Sequence, residues 1–218
     1  ELADLHLDAL EGDRSASGDK APRFRLFRTT AGNLCRICPD LAADQAAELA
    51  ALAAAEPVVE SFEGTPPTID AYRAILARSA PITREYRGPA FIFPAELPDA
   101  PRAVVVSVED RSSLPQHFDW AIQEWDDIQP VTVAIEDGVA VSICHTPAAT
   151  DLAAEAGVFT AEVARGRGYA VDFVALWARA VREAGRLPMY GTTWENSASR
   201  SVARKLELTI YGEDFHLL

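Results

Sequence analysis

Arg165-Gly166-Arg167-Gly168-Tyr169-Ala170 is the stretch on which the fold turns. Before it runs an apolar segment, Ala156-Gly157-Val158-Phe159-Thr160. After it comes a helical pattern, with Phe173, Val174, Trp177 and Val181 on one face and Gly185 as its C′ stop. Glycines at such a junction let the backbone come close to a ligand, because no Cβ stands in the way. The first amides of the helix have no partner within it, and the positive end of its dipole lies at the same place. Two arginines add charge. These residues predict a strand, an anion-cradling loop and a helix. The loop is not a dinucleotide fingerprint, since G-x-G-x-x-G is absent, and no Gly-Lys-Ser/Thr follows to make a P-loop.

Working outward, residues 187–193 read as a strand, 196–206 as a helix and 208–211 as a final strand. Asn196 is a natural N-cap for that helix. Upstream, residues 131–135 and 139–144 flank Asp137-Gly138, the signature of a tight β-hairpin. The second half of the chain therefore runs strand, turn, strand, strand, helix, strand, helix, strand.

The loop resembles the Arg/Gln-x-x-Gly-x-Gly/Ala motif of the GNAT superfamily of acyl-CoA-dependent N-acetyltransferases. Arg165, Gly168 and Ala170 fill its fixed positions. A second landmark, Thr193-Trp194-Glu195-Asn196-Ser197-Ala198-Ser199, resembles the family segment in which an Asn after a strand meets the pantetheine arm. The likeness covers about residues 131–215 and is poor before Pro101. It implies an α/β (α+β) fold, a mixed central sheet with helices on both faces and an N-terminal helical and strand extension. It further implies acetyl-CoA as co-substrate, with the strand at 156–160 splayed from the strand at 189–193 and pantetheine between them. Val158, Phe159, Thr160, Arg165, Gly166, Arg167, Gly168, Tyr169, Ala170, Asn196 and Ser199 are then the cofactor-binding candidates.

The resemblance also places a Glu near the start of the strand before the loop. Glu155 is the candidate base and His145, at the end of the hairpin, the second. Two positions depart from the family pattern. Ala203 stands where many members have a general-acid Tyr, and Glu207 stands where a Gly is expected. Tyr190, Tyr211 or solvent is left to protonate the thiolate.

The 218 residues allow one large domain or two small ones. Residues 1–100 are expected to form an accessory segment, and residues 101–218 the acyl-CoA-binding core. Within the first part, 24–28 and 33–37 read as a hairpin. Asp40 and Thr68 are expected to cap helices at 41–55 and 69–77, and residues 11–22 read as a loop. Residues 91–93 read as a strand and 104–108 as a buried one. Ser113-x-x-Gln116 opens a short helix as a capping box.

The net charge of −13 argues against nucleic acid as the main partner. Between Arg165 and Lys205, however, eight basic residues face three acids, a local bias that suits a phosphorylated cofactor. Of these, Arg179, Arg182 and Glu183 read as a solvated helix face. No apolar run reaches the length of about 18 residues that a membrane span needs. The acidic opening does not read as a signal peptide, and the three cysteines suit a reducing cytoplasm. Cys35-Arg36-Ile37-Cys38 has only Cys144-His145 as conceivable zinc partners, so it reads as ordinary packing and no metal is expected. The expected activity is transfer of an acetyl group to a primary amine, carried by a small molecule or a peptide. A homodimer is compatible with all of this. A catalytically silent acyl-CoA-binding regulator is the rival, and a nucleotide or phosphate-ester binder using the same loop is a third reading.

Overall fold

The computed structural model describes residues 2–11, 21–62 and 64–218; the rest of the loop expected at 11–22 lies outside the described residues. The elements are α1 (Leu2–Glu11), β1 (Phe24–Thr29), β2 (Gly32–Ile37), α2 (Ala43–Ala55), α3 (Ile69–Ala77), β3 (Glu85–Ile92) and β4 (Ala103–Val105). They continue with α4 (Pro115–Phe118), α5 (Trp120–Gln123), β5 (Thr132–Glu136), β6 (Val139–Ala149), β7 (Ala153–Thr160), α6 (Tyr169–Glu183), β8 (Leu187–Gly191), α7 (Ser197–Lys205) and β9 (Thr209–Leu217). All strands join one nine-stranded sheet in the order β2-β1-β9-β3-β8-β7-β6-β5-β4. Every pairing in it is antiparallel except β7 with β8.

Alternation along each strand sorts the side chains to two faces. One face carries Phe24, Leu26, Phe215 and Leu217 under α2 and α3. On the same face, Ala154, Ala156, Phe91 and Tyr190 lie under α6 and α7. On the other face Val133, Ala140 and Ile143 pack on α4 and α5. There too, Phe27 and Ala90 meet Ala3 and Leu7 of α1. The fold is therefore a mixed sheet with helices on both faces.

The boundary expected at residue 100 does not divide this sheet. β3, from the first part of the chain, lies between β8 and β9 and pairs with both. β1 pairs with β9 from residue 24 to residue 28. Strands of the two parts thus interleave, and the first part supplies three of the nine strands.

Several local expectations are corrected. β4 is an edge strand that pairs only with β5, and Val104 and Val105 are about half exposed, so the β-branched run at 104–108 is not a buried strand. α2 starts at Ala43 with Ala42 as N-cap, so Asp40 does not cap it. Thr68 is the N-cap of α3 but makes no capping bond; its hydroxyl donates to Glu56. α4 begins after Leu114, so the capping box at Ser113 does not form. Arg179 and Arg182 are not simply solvated: they donate to the carbonyls of Leu97 and Pro98, and of Phe93, Pro94 and Ala95. They fasten the segment that leads from β3 to β4.

Candidate acyl-CoA site

β7 and β8 run parallel and pair only at Ala153↔Leu187, Ala154↔Pro188 and Glu155↔Met189. Beyond Glu155 the strands part, so residues 156–160 keep an unpaired backbone edge towards β8. Unpaired N–H and C=O groups along a strand edge are a template for an extended, amide-containing ligand. The gap lies where the resemblance implies it, between 156–160 and the end of β8.

At the far end of β7 the chain turns through residues 161–168 into α6. Gly168 is the N-cap of α6 with φ of 78°, and among the described residues no side chain caps the helix. Gly166 has the same φ. A Cβ at either glycine would meet no atom within 4 Å, so the left-handed backbone, not crowding, is what calls for glycine here. The first amides of α6 are thus left without a side-chain acceptor, as an anion site requires.

The arginines around this turn have different tasks. Arg165 is exposed; among the described residues it makes a 3.4 Å contact with Glu162 and a 3.4 Å bond to the Thr160 carbonyl. Arg167 donates to both carboxylate oxygens of Glu136 at 2.8 Å, and the Tyr169 hydroxyl donates to the same carboxylate. These bonds hold the Glu136 carboxyl below its ordinary pKa. They tie the loop to the Asp137-Gly138 hairpin. Arg102 was not singled out in the sequence. Its guanidinium grips Asp172 of α6 with bonds of 2.8 and 2.9 Å, and donates to the carbonyls of Arg167 at 3.2 Å and Gly168 at 2.9 Å. It also lies over the Tyr169 ring. Those bonds turn the loop carbonyls towards Arg102. The Arg102 fork holds the Asp172 carboxyl below its ordinary range.

Across the gap, the Asn196 side chain accepts from the Ser199 amide at 3.0 Å, so it caps α7 as its residue type predicts. Ser199 gives its carbonyl to the Tyr190 hydroxyl at 3.4 Å. Burial pushes the Tyr190 phenol up to about 12, so it is a neutral donor at physiological pH. The preceding loop is held by Trp194, whose indole N–H donates at 2.6 Å to the fully buried Glu213.

The point where β7 and β8 part is polar. A Cβ on Gly191 would lie 2.3 Å from Glu155 Oε1 and 3.7 Å from the Tyr86 hydroxyl. Gly191 therefore makes room for the Glu155 carboxylate. Tyr86 comes from β3, and its phenol is pushed well above its ordinary value by burial and by the charges of Asp214 and Glu155. His216 stacks on the Tyr86 ring at 4.7 Å, bonds Asp214 at 3.0 Å, and Asp214 meets Arg25 at 3.4 Å. Tyr211 donates or accepts at 2.6 Å with His6 Nδ1 from α1. Tyr86, His216 and His6 carry no motif. Tyr86 and His6 reach this place because the first part of the chain is built into the sheet, and His216 meets Tyr86 because β9 pairs with β3.

His145 has a different environment. Its ring sits on Gly157, where a Cβ would lie 2.3 Å away, stacks on Phe159 and meets the edge of Trp120. It is 5% exposed, and burial lowers its pKa to about 4. In this structure it is a packing group. Cys35 packs in the layer under α2 and α3. Among the described residues no cluster of His, Cys, Asp or Glu could hold a metal. None of the described helices is long and apolar enough to cross a membrane.

Neither a family model nor a curated protein matches the sequence. Solved structures do. A GCN5-related N-acetyltransferase-like protein from Streptococcus suis 89/1591 is 16% identical over 91% of this chain and 85% of its own, with a TM-score of 0.53. A GNAT-family protein from Novosphingobium aromaticivorans DSM 12444 is 21% identical over 62% of this chain, with a TM-score of 0.49. This chain spans 65% of the length of that protein. A Salmonella typhimurium structure described as an acetyltransferase with its cofactor acetyl-CoA is 15% identical over 53% of this chain and 91% of its own, with a TM-score of 0.38. At these identities the likeness is one of fold.

Proposed function

We propose that this chain, which has the fold of the GNAT superfamily, is an N-acyltransferase that moves an acetyl group from acetyl-CoA to a primary amine. The observation that carries the proposal is the parting of β7 from β8 beyond Glu155, beside an α6 N-terminus that no described side chain caps. The unpaired edge of 156–160 suits the two amides of pantetheine. The amides from Gly168 onward suit the pyrophosphate, with Arg165 free to add charge. Asn196 and Ser199 form the opposite wall.

The acyl group would then lie near the start of the gap, where Glu155 stands. A primary amine arrives as an ammonium and must lose a proton before it can attack. Glu155 would take that proton, directly or through water. The amine lone pair bonds to the thioester carbon, the carbonyl oxygen gathers the charge, and the C–S bond breaks as the carbonyl re-forms. The sulfur leaves as thiolate. Ala203 cannot protonate it, and the neutral phenols of Tyr190 and Tyr86 are the donors near the gap.

A panel of primary amines with acetyl-CoA, followed by thiol release, tests the proposal. Expected are turnover of at least one amine and a loss of about 100-fold or more in Glu155→Gln, the scale of general-base removal. Coenzyme A binding without thiol release across the panel would favour the silent regulator, for which Ala203 is the supporting observation.

A further inference from the structure

The loop that joins β8 to α7 leads to Asn196 and lies beyond the strand pairing, since β8 ends at Gly191. Its backbone rests on β3. The Thr192 and Trp194 amides donate to the carbonyls of Pro89 at 3.4 Å and Arg87 at 3.2 Å, and a Cβ on Gly88 would strike the Thr192 carbonyl oxygen at 1.7 Å. Among the described residues a single side-chain hydrogen bond ties this loop to the sheet, from the Trp194 indole to Glu213 Oε1 at 2.6 Å. Glu213 is fully buried at the centre of a charge cluster. Arg28 of β1 donates to its other oxygen at 2.7 Å, and Arg87 of β3 lies 3.5 Å from Oε1. Glu56, the C-cap of α2, lies 3.8 Å from Arg28 Nε. Two carboxylates and two guanidinium groups balance. Neither Arg28 Nε nor Glu56 Oε1 is hydrogen-bonded among the described residues. Apolar side chains of the same volume commonly hold a fold as well as a buried ion cluster does, so stability alone does not account for these charges. What they do is fix one charged acceptor under the loop, two residues before Asn196.

We propose that Glu213 is a positioning residue for coenzyme binding, acting through Trp194 on the Asn196 wall of the gap, with its carboxylate set in place by Arg28 from the first part of the chain. The inference rests on the coenzyme reading given above. An ionised acceptor makes a shorter and stronger hydrogen bond than a neutral one, which fits the 2.6 Å separation. Held in this way, the loop presents Asn196 and Ser199 already ordered, so binding need not order them. The same anchor leaves the reacting end alone. Glu213 shares its face of the sheet with Phe215 and Leu217, whereas Glu155 alternates with Ala154 and Ala156 and projects from the opposite face. Residues 24–29 and 85–92 thereby govern coenzyme affinity without touching the coenzyme: one strand brings Arg28 to the carboxylate and the other brings Arg87.

The test is calorimetry with acetyl-CoA on wild type, Trp194→Phe, Asn196→Ala and the double variant. Trp194 is half-buried, and phenylalanine keeps a ring there while removing the N–H, so the variant keeps its core. Trp194→Phe is expected to weaken acetyl-CoA about tenfold, the scale of one hydrogen bond to a charged group, with KM for acetyl-CoA rising likewise and kcat unchanged. In the Asn196→Ala background the same substitution should weaken binding by less than about threefold, because the wall through which it acts is gone. A merely structural contact would show no such dependence on Asn196. Unchanged affinity in Trp194→Phe refutes the positioning role, and so does a tenfold loss that persists undiminished beside Asn196→Ala. A fall in kcat with acetyl-CoA affinity preserved equally overturns it. Wild type that does not bind acetyl-CoA would instead refute the coenzyme reading, and this inference with it.

Discussion

Arg102→Ala tests whether the loop before α6 is set by the residues that grip it. The wild-type guanidinium makes two bonds to Asp172, at 2.8 and 2.9 Å, and two to loop carbonyls, at 3.2 and 2.9 Å. Hydrogen bonds to charged groups contribute about 1.5–3 kcal/mol when sheltered. Here the Arg102 side chain is 46% exposed, so the pair stands nearer the surface value of up to about 1 kcal/mol. Asp172, at 8% exposure, would lose its cation but keep the favourable field of the helix N-terminus. A stability loss of about 1 kcal/mol follows, which lowers Tm by roughly 2–4 °C in a chain of this length. The released carbonyls of Arg167 and Gly168 must then be ordered by the ligand. About 1.4 kcal/mol spent there weakens acetyl-CoA tenfold. The pH dependence has a definite sign. Arg102 depresses the folded pKa of Asp172, so the stabilisation is present above the unfolded value of about 3.9 and is lost as pH falls through the lower folded value. The gap in stability between wild type and variant should therefore be level from pH 5 to 8, on the order of its full size, and close in stronger acid. Calorimetry with acetyl-CoA and thermal melts across pH provide the measurements. A variant that loses stability yet binds acetyl-CoA like wild type would show that the Arg102 grip does not set the loop.

Other outcomes follow from the same structure. Gly191→Ala puts a Cβ 2.3 Å from Glu155 Oε1, so the carboxylate must move while the α6 loop stays as it is. A misplaced base predicts kcat down by about 100-fold with acetyl-CoA affinity unchanged, and an unchanged kcat would remove Glu155 from the mechanism. His6 and His145 both have pKa values lowered by burial to about 4. Between that value and 6.5 the unfolded chain binds more protons, so stability falls as pH drops across this window, by up to about 3 kcal/mol for each histidine. His145→Phe keeps a ring on Gly157 and removes one titration, so urea melts should show a shallower loss at acid pH; among the described residues His145 Nδ1 has no hydrogen-bond partner to lose. A slope equal to that of wild type would contradict it.

The second half of the chain was legible because its signals are local. An Asp-Gly turn between alternating strands, glycines at the start of a helix and Asn196 at the start of another are each decided within a few residues. The gap between β7 and β8 followed from the resemblance those signals carry. The role of the first part was not legible. β3 pairs with strands more than ninety residues away, and nothing in Glu85–Ile92 names those partners. Tyr86, whose hydroxyl lies within 4 Å of where a Gly191 Cβ would stand beside Glu155, was hidden for that reason. Arg102 was hidden differently: it sits one residue before a short edge strand, and its partner Asp172 lies in a helix seventy positions on. The run at 104–108 misled because β-branched residues fit an edge strand as readily as a central one. His145 was offered as a base on position alone; the structure puts it under Trp120 and Phe159 because Gly157 leaves a seat for its ring.

Calorimetric titration of acetyl-CoA into wild type and Gly168→Glu is the most direct test of the coenzyme site. At Gly168 there is room for a side chain, but the backbone φ of 78° costs a non-glycine residue about 1–2 kcal/mol, and the new carboxylate faces the phosphates. Wild type is expected to bind in the micromolar range, and the variant about 100-fold more weakly with its circular dichroism preserved. A folded variant that binds acetyl-CoA as tightly as wild type, or a wild type that does not bind it, would contradict the account.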